Sequence, residues 1–239
     1  HHAPPAKIKD SEIYFVDFVY PIEAMKRLIR DNKRVVIIDH HISAKPVLKL
    51  VKERLFSTAR SGAVLAWKYW HRGQKVPRLL LHLDDMDRWQ WKLPHTREIM
   101  AYTNLIGFDF KTWNKLVAAV ENTNRRRQIV SLGSWLIKYE DKQIRRVLNN
   151  AQLVKFAHYK TLAVNSPIWE SEIGSALVKK LPPLGIVWRK KGNGRITVSL
   201  RSNGQVDVAK LAAKFGGGGH KRSAGFVVSV GHKLPWKEM

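Results

Sequence analysis

Two short apolar runs in the first forty residues each end in a carboxylate. Ile13-Tyr14-Phe15-Val16 stops at Asp17, and Val35-Val36-Ile37-Ile38 stops at Asp39, followed at once by His40 and His41. An unbroken Val/Ile run fits a parallel strand covered on both faces, whereas strict alternation would mark a strand with one wet face. Residues 12–17 and 34–39 are therefore predicted strands. Between them, 21–31 carries Ile22, Met25, Leu28 and Ile29 at helical spacing behind the breaker Pro21, which makes a βαβ unit. A further helix is predicted over 61–71, with Ser61 as N-cap and Val64, Leu65, Trp67 and Tyr69 in its apolar body.

From 111 to 159 the pattern predicts helix with few breaks. Trp113, Leu116, Val117 and Val120 lie on one stripe, and Leu132, Trp135, Leu136 and Tyr139 on another. Strands follow at 161–164, 184–189 and 195–200, with a turn at Pro182-Pro183 and a hairpin at Gly192-Asn193-Gly194. The pattern is that of an α/β chain with a basic helical connector and a second, smaller domain. At 239 residues there is length for both.

Chemistry enters where the strands end. In open α/β sheets ligands gather beyond the carboxyl ends of the strands, which is where Asp17, Asp39, His40 and His41 would sit. Their oxygen and nitrogen donors suit Mn²⁺, Mg²⁺ or Zn²⁺, and the absence of cysteine removes thiolate zinc sites and any disulfide framework. The alternative is an Asp that caps the next helix and a His pair on a wet loop. A second acidic group, Asp84-Asp85-Met86-Asp87, places three carboxylates in four residues of an otherwise cationic chain. Their repulsion needs a cation or an Arg partner, and Arg88 is one candidate.

The net charge of +24 changes the picture of the partners. It predicts a polyanion, nucleic acid and above all RNA, with basic clusters at Arg125-Arg126-Arg127, Arg145-Arg146, Lys179-Lys180 and Arg189-Lys190-Lys191. The excess is larger over 121–239 than over 1–120. No 18-residue apolar run and no signal-peptide pattern occur, so the expected protein is intracellular, in cytoplasm or mitochondrial matrix, and is not membrane-bound. Near the C-terminus, Phe215-Gly216-Gly217-Gly218-Gly219-His220-Lys221-Arg222 combines side-chain-free backbone with donors and charge, as a phosphate cradle does. A flexible turn is the plainer reading of the glycines alone.

These segments, in this order, resemble the DHH phosphoesterase superfamily with its C-terminal DHH-associated domain. Val16-Asp17-Phe18-Val19-Tyr20-Pro21 is similar to its second motif, Asp39-His40-His41 to the third, Asp84-Asp85-Met86-Asp87 to the fourth, and Gly216 to Gly225 to the glycine-His motif of the associated domain. Ser199-Leu200-Arg201-Ser202 resembles the strand facing that loop. The resemblance implies a parallel-sheet domain over 1–120, a helical linker over 121–160 and a substrate-gripping domain over 161–239, with a cleft between the lobes. It implies that Asp17, His40 and Asp85 are Mn²⁺ ligands, with Asp87 competing with Asp85, and that Mg²⁺ can substitute. It gives Asp39 and His41 catalytic positions next to the metal and the phosphate, and it gives Arg201, Gly218, Gly219 and His220 the substrate's terminal phosphate or 3′ nucleotide. The implied reaction is attack of a metal-activated water on a phosphodiester of short or single-stranded nucleic acid. The family's opening Asp-x-Asp motif has no counterpart before Asp17. Two expectations therefore stand side by side: a phosphodiesterase completed by a strand upstream, or a metal-free, inactive descendant that binds RNA in a ribonucleoprotein such as an organellar ribosome.

Overall fold

A computed structural model describes residues 8–239, and these divide into two compact units within one long helix, between Ile137 and Lys138. The first unit opens with β1 (Glu12–Val16), α1 (Ile22–Arg30) and β2 (Arg34–Asp39). A 3-10 turn at Ile42–Ala44 and the short α2 (Lys45–Leu48) lead into β3 (Glu53–Phe56). The three strands form a parallel sheet in the order β1-β2-β3. Its middle strand is covered on both faces, as its unbroken apolar run requires. Val35 and Ile37 pack with Phe15, Met25 and Leu28 under α1 and α2, whereas Val36 and Ile38 pack with Leu65 on the opposite face. Each such side chain, fully buried, contributes about 1.5–3 kcal/mol.

Leu65 belongs to α3 (Gly62–Trp70), which Ser61 caps as its sequence predicted, its hydroxyl accepting from the Val64 N–H. The remaining helices of this unit are α4 (Arg78–Asp87), α5 (Thr96–Thr103), α6 (Phe110–Glu121) and the first part of α7 (Thr123–Leu148). They share a core of Leu79, Ile99, Met100, Leu116, Val120 and Ile129.

The second unit is built on a seven-stranded mixed sheet. Its strands are β4 (Gln152–Phe156), β5 (Tyr159–Asn165), β6 (Leu184–Lys190), β7 (Ile196–Ser202), β8 (Gly218–His220), β9 (Ser223–Val228) and β10 (Trp236–Glu238), in the order β10-β4-β5-β6-β7-β9-β8. Helix α8 (Glu170–Lys180) connects the parallel pair β5 and β6 and buries Ile173 and Leu177 with Val164 and Val187 on one face. Helix α9 (Val208–Ala213) covers the other face, where Val208 and Ala212 meet Ile186, Val198 and Leu200. The β6–β7 hairpin turns at the expected place, with Gly194 at φ +79° and its N–H on the Lys191 carbonyl. The fold is α/β with two domains, as expected. The structure differs over 149–159, where helix was predicted: α7 ends at Leu148 and Gln152–Phe156 is strand β4, with Val154 and Phe156 buried on one face and Lys155 exposed. A single alternation of that length cannot be told from helix without its partner β5. Among the described residues, no helix is long and apolar enough to cross a membrane.

At Gly133 of α7 a Cβ would overlap the Glu98 carbonyl of α5, so the two backbones meet closely there. On helix propensity alone Gly133→Ala gains about 1 kcal/mol. Contact with the α5 backbone reverses that sign, so Gly133→Ala is expected to lower the Tm by several degrees in calorimetry; an unchanged or raised Tm would remove this packing account.

Candidate functional site

The parallel register of β1 on β2 sets Val16 beside Ile38, so the two strands deliver Asp17 and Asp39 at the same sheet edge. Asp17 donates its N–H to the Ile38 carbonyl at 2.9 Å and then turns away in the left-handed region, φ 66°. Its carboxylate rests on the first residue of α3. A Cβ at Gly62 would collide with the Asp17 Oδ1 atom, so that helix can approach only as glycine.

Asp39 is wholly buried and organises the two histidines after it. Its Oδ1 accepts the His40 N–H at 2.6 Å and the His41 N–H at 2.9 Å, and lies 2.7 Å from His41 Nδ1. The two imidazoles are thereby aimed, with ring centroids 4.3 Å apart. His40 Nε2 lies 3.2 Å from Asp17 Oδ1 and 3.4 Å from Asp87 Oδ2. One donor atom each from Asp17, His40 and His41 falls within a sphere of contacts no longer than 4.8 Å. Despite these neighbours, His40 Nε2 is buried without an aligned hydrogen bond, and so is Asp39 Oδ2. Orphaned buried polar atoms are costly, about 1–3 kcal/mol each, and call for a missing partner. The Asp17 carboxylate, with Asp87 and Asp39 adding, raises the His40 pKa against the burial that lowers it. Burial foremost, then repulsion from Asp17, pushes the Asp87 carboxyl up. Two carboxylates around an imidazole nitrogen are a donor set that fits Mn²⁺, Mg²⁺ or Zn²⁺.

The three carboxylates that close α4 have separate tasks. Asp84 accepts the Ser61 N–H and faces Arg60 and Arg88 at 3.3 and 3.4 Å. Asp85, expected among the metal ligands, is not with Asp17 and His40. Its oxygens accept the Lys92 N–H at 2.8 Å, the Leu93 N–H at 3.0 Å and the Thr96 hydroxyl at 2.7 Å. Burial raises its pKa, and these three bonds outweigh burial and hold it below the ordinary carboxylate value. The carboxylate that reaches His40 is Asp87. Helical geometry separates Asp85 from Asp87, which point about 200° apart, whereas Asp84 and Asp87, three residues apart, share a face on which Asp84 is taken by Ser61, Arg60 and Arg88. Gly62 and the capping role of Asp85 were not legible in the sequence, because both depend on the approach of segments distant along the chain.

In the second unit, pairing aligns His220 with Ser223 and Ser223 with Arg201 across β8, β9 and β7. Directly opposed residues share a sheet face, so the two candidates stand in one row with Ser223 between them. Arg201 is half-buried, donates to the Ser171 hydroxyl at 2.7 Å and to the Leu200 carbonyl at 2.9 Å, and has its pKa lowered by burial. The glycines differ among themselves. Gly217 and Gly219 lie against the backbone of β9, where a Cβ would strike Gly225 and Ser223, whereas a Cβ at Gly218 would meet nothing within 4 Å. Packing explains Gly217 and Gly219, whereas space is open beside Gly216 and Gly218.

The two acidic roles separate by mutation. Asp87→Asn is expected to weaken Mn²⁺ binding at least tenfold in calorimetric titration with little change in Tm. Asp85→Asn is expected to cost about 1–3 kcal/mol of stability and to bind Mn²⁺ nearly as wild type. The reverse pattern would return Asp85 to the ligand position.

Residues 168–235 match the DHHA1 domain family. An uncharacterized protein of Acanthamoeba polyphaga mimivirus is 29% identical over 93% of this chain and 54% of its own length, so the chain spans about half of that curated relative. Among solved structures, a DHH domain described as a member of the S1p family of ribosomal proteins superposes with a TM-score of 0.60 at 17% identity, covering 90% of this chain and 65% of that one. A pGpG-specific phosphodiesterase of Vibrio cholerae aligns over 94% of both chains at 10% identity with a TM-score of 0.43. The second unit thus matches the DHHA1 domain family over residues 168–235, and the chain shares the fold of the solved DHH-domain structure.

Proposed function

We propose that this protein is a metal-dependent phosphodiesterase acting on short or single-stranded nucleic acid. The observation that carries the reading is the His40 nitrogen, buried, without an aligned hydrogen bond and faced by two carboxylates. Asp17, His40, His41 and Asp87 would hold Mn²⁺, with Mg²⁺ as an alternative. The bound ion supplies an acidified water as nucleophile and positive charge for the phosphoryl oxygens. Asp39 acts through the histidines: it fixes both backbone N–H groups and, by accepting from Nδ1 of His41, leaves the lone pair on the other ring nitrogen. Arg201, His220 and the backbone of Gly218 and Gly219 are assigned to the substrate phosphate, where charge-assisted donors on open backbone are effective.

A second reading, an RNA-binding component of a ribonucleoprotein, is favoured by the charge. Net +24 exceeds what one small substrate needs, and Arg125, Arg127, Arg145, Arg146, Lys179, Lys180, Lys190 and Lys191 are all exposed. The ribosomal description of the DHH-domain relative points the same way.

Incubation of the purified protein with a labelled pentanucleotide and Mn²⁺ separates the two. The enzyme reading expects release of mononucleotides, lost on chelation and reduced at least a hundredfold by Asp39→Ala. Turnover by the Asp39→Ala variant equal to wild type would end that reading. No turnover, together with RNA affinity that falls about a thousandfold or more between 50 and 200 mM salt, would transfer the assignment to the second.

A further inference from the structure

Two tryptophans beside the acidic cluster are held where hydrophobic burial would not place them. Trp89 and Trp91 are 47% and 38% exposed, and their rings meet edge to face with centroids 5.1 Å apart. Both adopt the left-handed backbone region, φ 54° and 53°, which bulky side chains rarely enter. The segment is nevertheless pinned at every step. The Trp89 N–H bonds the Met86 carbonyl at 2.8 Å, the Gln90 N–H bonds the Asp85 carbonyl at 2.8 Å, and the Asp85 side chain takes the next two free N–H groups, those of Lys92 and Leu93. A buried carboxylate, Asp85, is thus spent on holding a strained loop that presents two indoles to solvent. Strain of that kind persists only where surrounding bonds over-determine it, and it concentrates at binding sites.

The position of the loop specifies what the rings meet. Asp87 contributes its carboxylate to the His40 cluster, and Trp89 follows two residues later, so the two Cα atoms are at most about 7–8 Å apart. The loop therefore begins next to the cluster in the chain. Arg60 and Arg88 lie beside Asp84 at the same end of α4, and Lys92 is exposed, so the flanks of the loop are cationic. A flat apolar ring, offered beside a phosphoester site on a chain of net charge +24, matches a nucleobase carried on a polyanion.

We propose that Trp89 and Trp91 form a base-stacking platform that favours a nucleobase-bearing single strand over a base-free ligand of the same charge. Asp85 is then a positioning residue for the platform. The inference rests on the phosphoester reading of the Asp17–His40–Asp87 cluster for the identity of the neighbouring group, but base stacking is measured without metal and without turnover.

The test is fluorescence anisotropy of labelled pentanucleotides in EDTA at about 0.2 M salt, where backbone attraction is screened. Wild-type protein is expected to bind a base-bearing pentanucleotide at least about tenfold more tightly than an abasic pentanucleotide of the same charge. Trp89→Ala/Trp91→Ala is expected to lose that preference while binding the abasic strand as before, and Trp89→Phe/Trp91→Phe is expected to retain most of it. Equal affinity of the wild type for the two strands overturns the proposal, and needs no variant that might misfold. So does an unchanged preference in the double alanine variant with native circular dichroism. A base preference that depends on both tryptophans, in a protein that never turns over with Mn²⁺, would keep the platform and discard the phosphodiesterase.

Discussion

One buried carboxylate, Asp39, sets the rest of the site in order. Removing such a charge from water costs several kcal/mol unless it is paired and hydrogen-bonded, and here a single oxygen collects the N–H groups of His40 and His41 and the ring nitrogen of His41. Those bonds are available only because β2 ends abruptly at Asp39, with four apolar residues behind it packed alternately on the two faces of the sheet. The strand fixes where the chain must stop, and the carboxylate fixes which way the next two side chains point. Parallel pairing with β1 then brings Asp17 level with them. Two strand ends that are ordinary alone become one cluster of carboxylates and imidazoles because a single pairing register holds both.

Negative charge elsewhere in this cationic chain is used sparingly and for specific contacts. Asp84 ties the end of α4 to the start of α3 through Ser61 and Arg60. Asp85 ties the same helix end to the loop that follows it. Asp87 alone reaches the histidines; burial foremost raises its pKa even though His40 and His41 lower it, whereas Asp85 has its own lowered by its hydrogen bonds. Three neighbouring carboxylates thereby occupy three electrostatic environments, and the repulsion expected among them is relieved by Arg60 and Arg88 for Asp84 and by backbone N–H groups for Asp85.

Sequence pattern was enough for β1 and β2, for the Ser61 cap and for the β6–β7 hairpin, since each depends on residues adjacent in the chain, but not for β3, which no run of apolar residues announces. It was not enough to choose between Asp85 and Asp87, because helical rotation decides which carboxylate faces the sheet and the choice is settled by the packing of α4. Strand β4 escaped for a related reason. Its alternation covers five residues behind a long helix, and only its pairing with β5 distinguishes it from one more helical turn. Gly62 had no sequence signature, since a glycine at the start of a helix reads as ordinary until Asp17 is found pressed against it. The glycine run likewise looked uniform, yet packing against β9 claims Gly217 and Gly219 and leaves Gly216 and Gly218 open.

The central claim is that the strand-end carboxylates and imidazoles form one cation site. Anomalous diffraction from crystals equilibrated with Mn²⁺ tests it most directly. The account predicts a single strong peak in the first unit within bonding distance of His40 Nε2 and carboxylate oxygens of Asp17 and Asp87. A peak bonded to Asp85, or no peak at this sheet edge at saturating Mn²⁺, would contradict it.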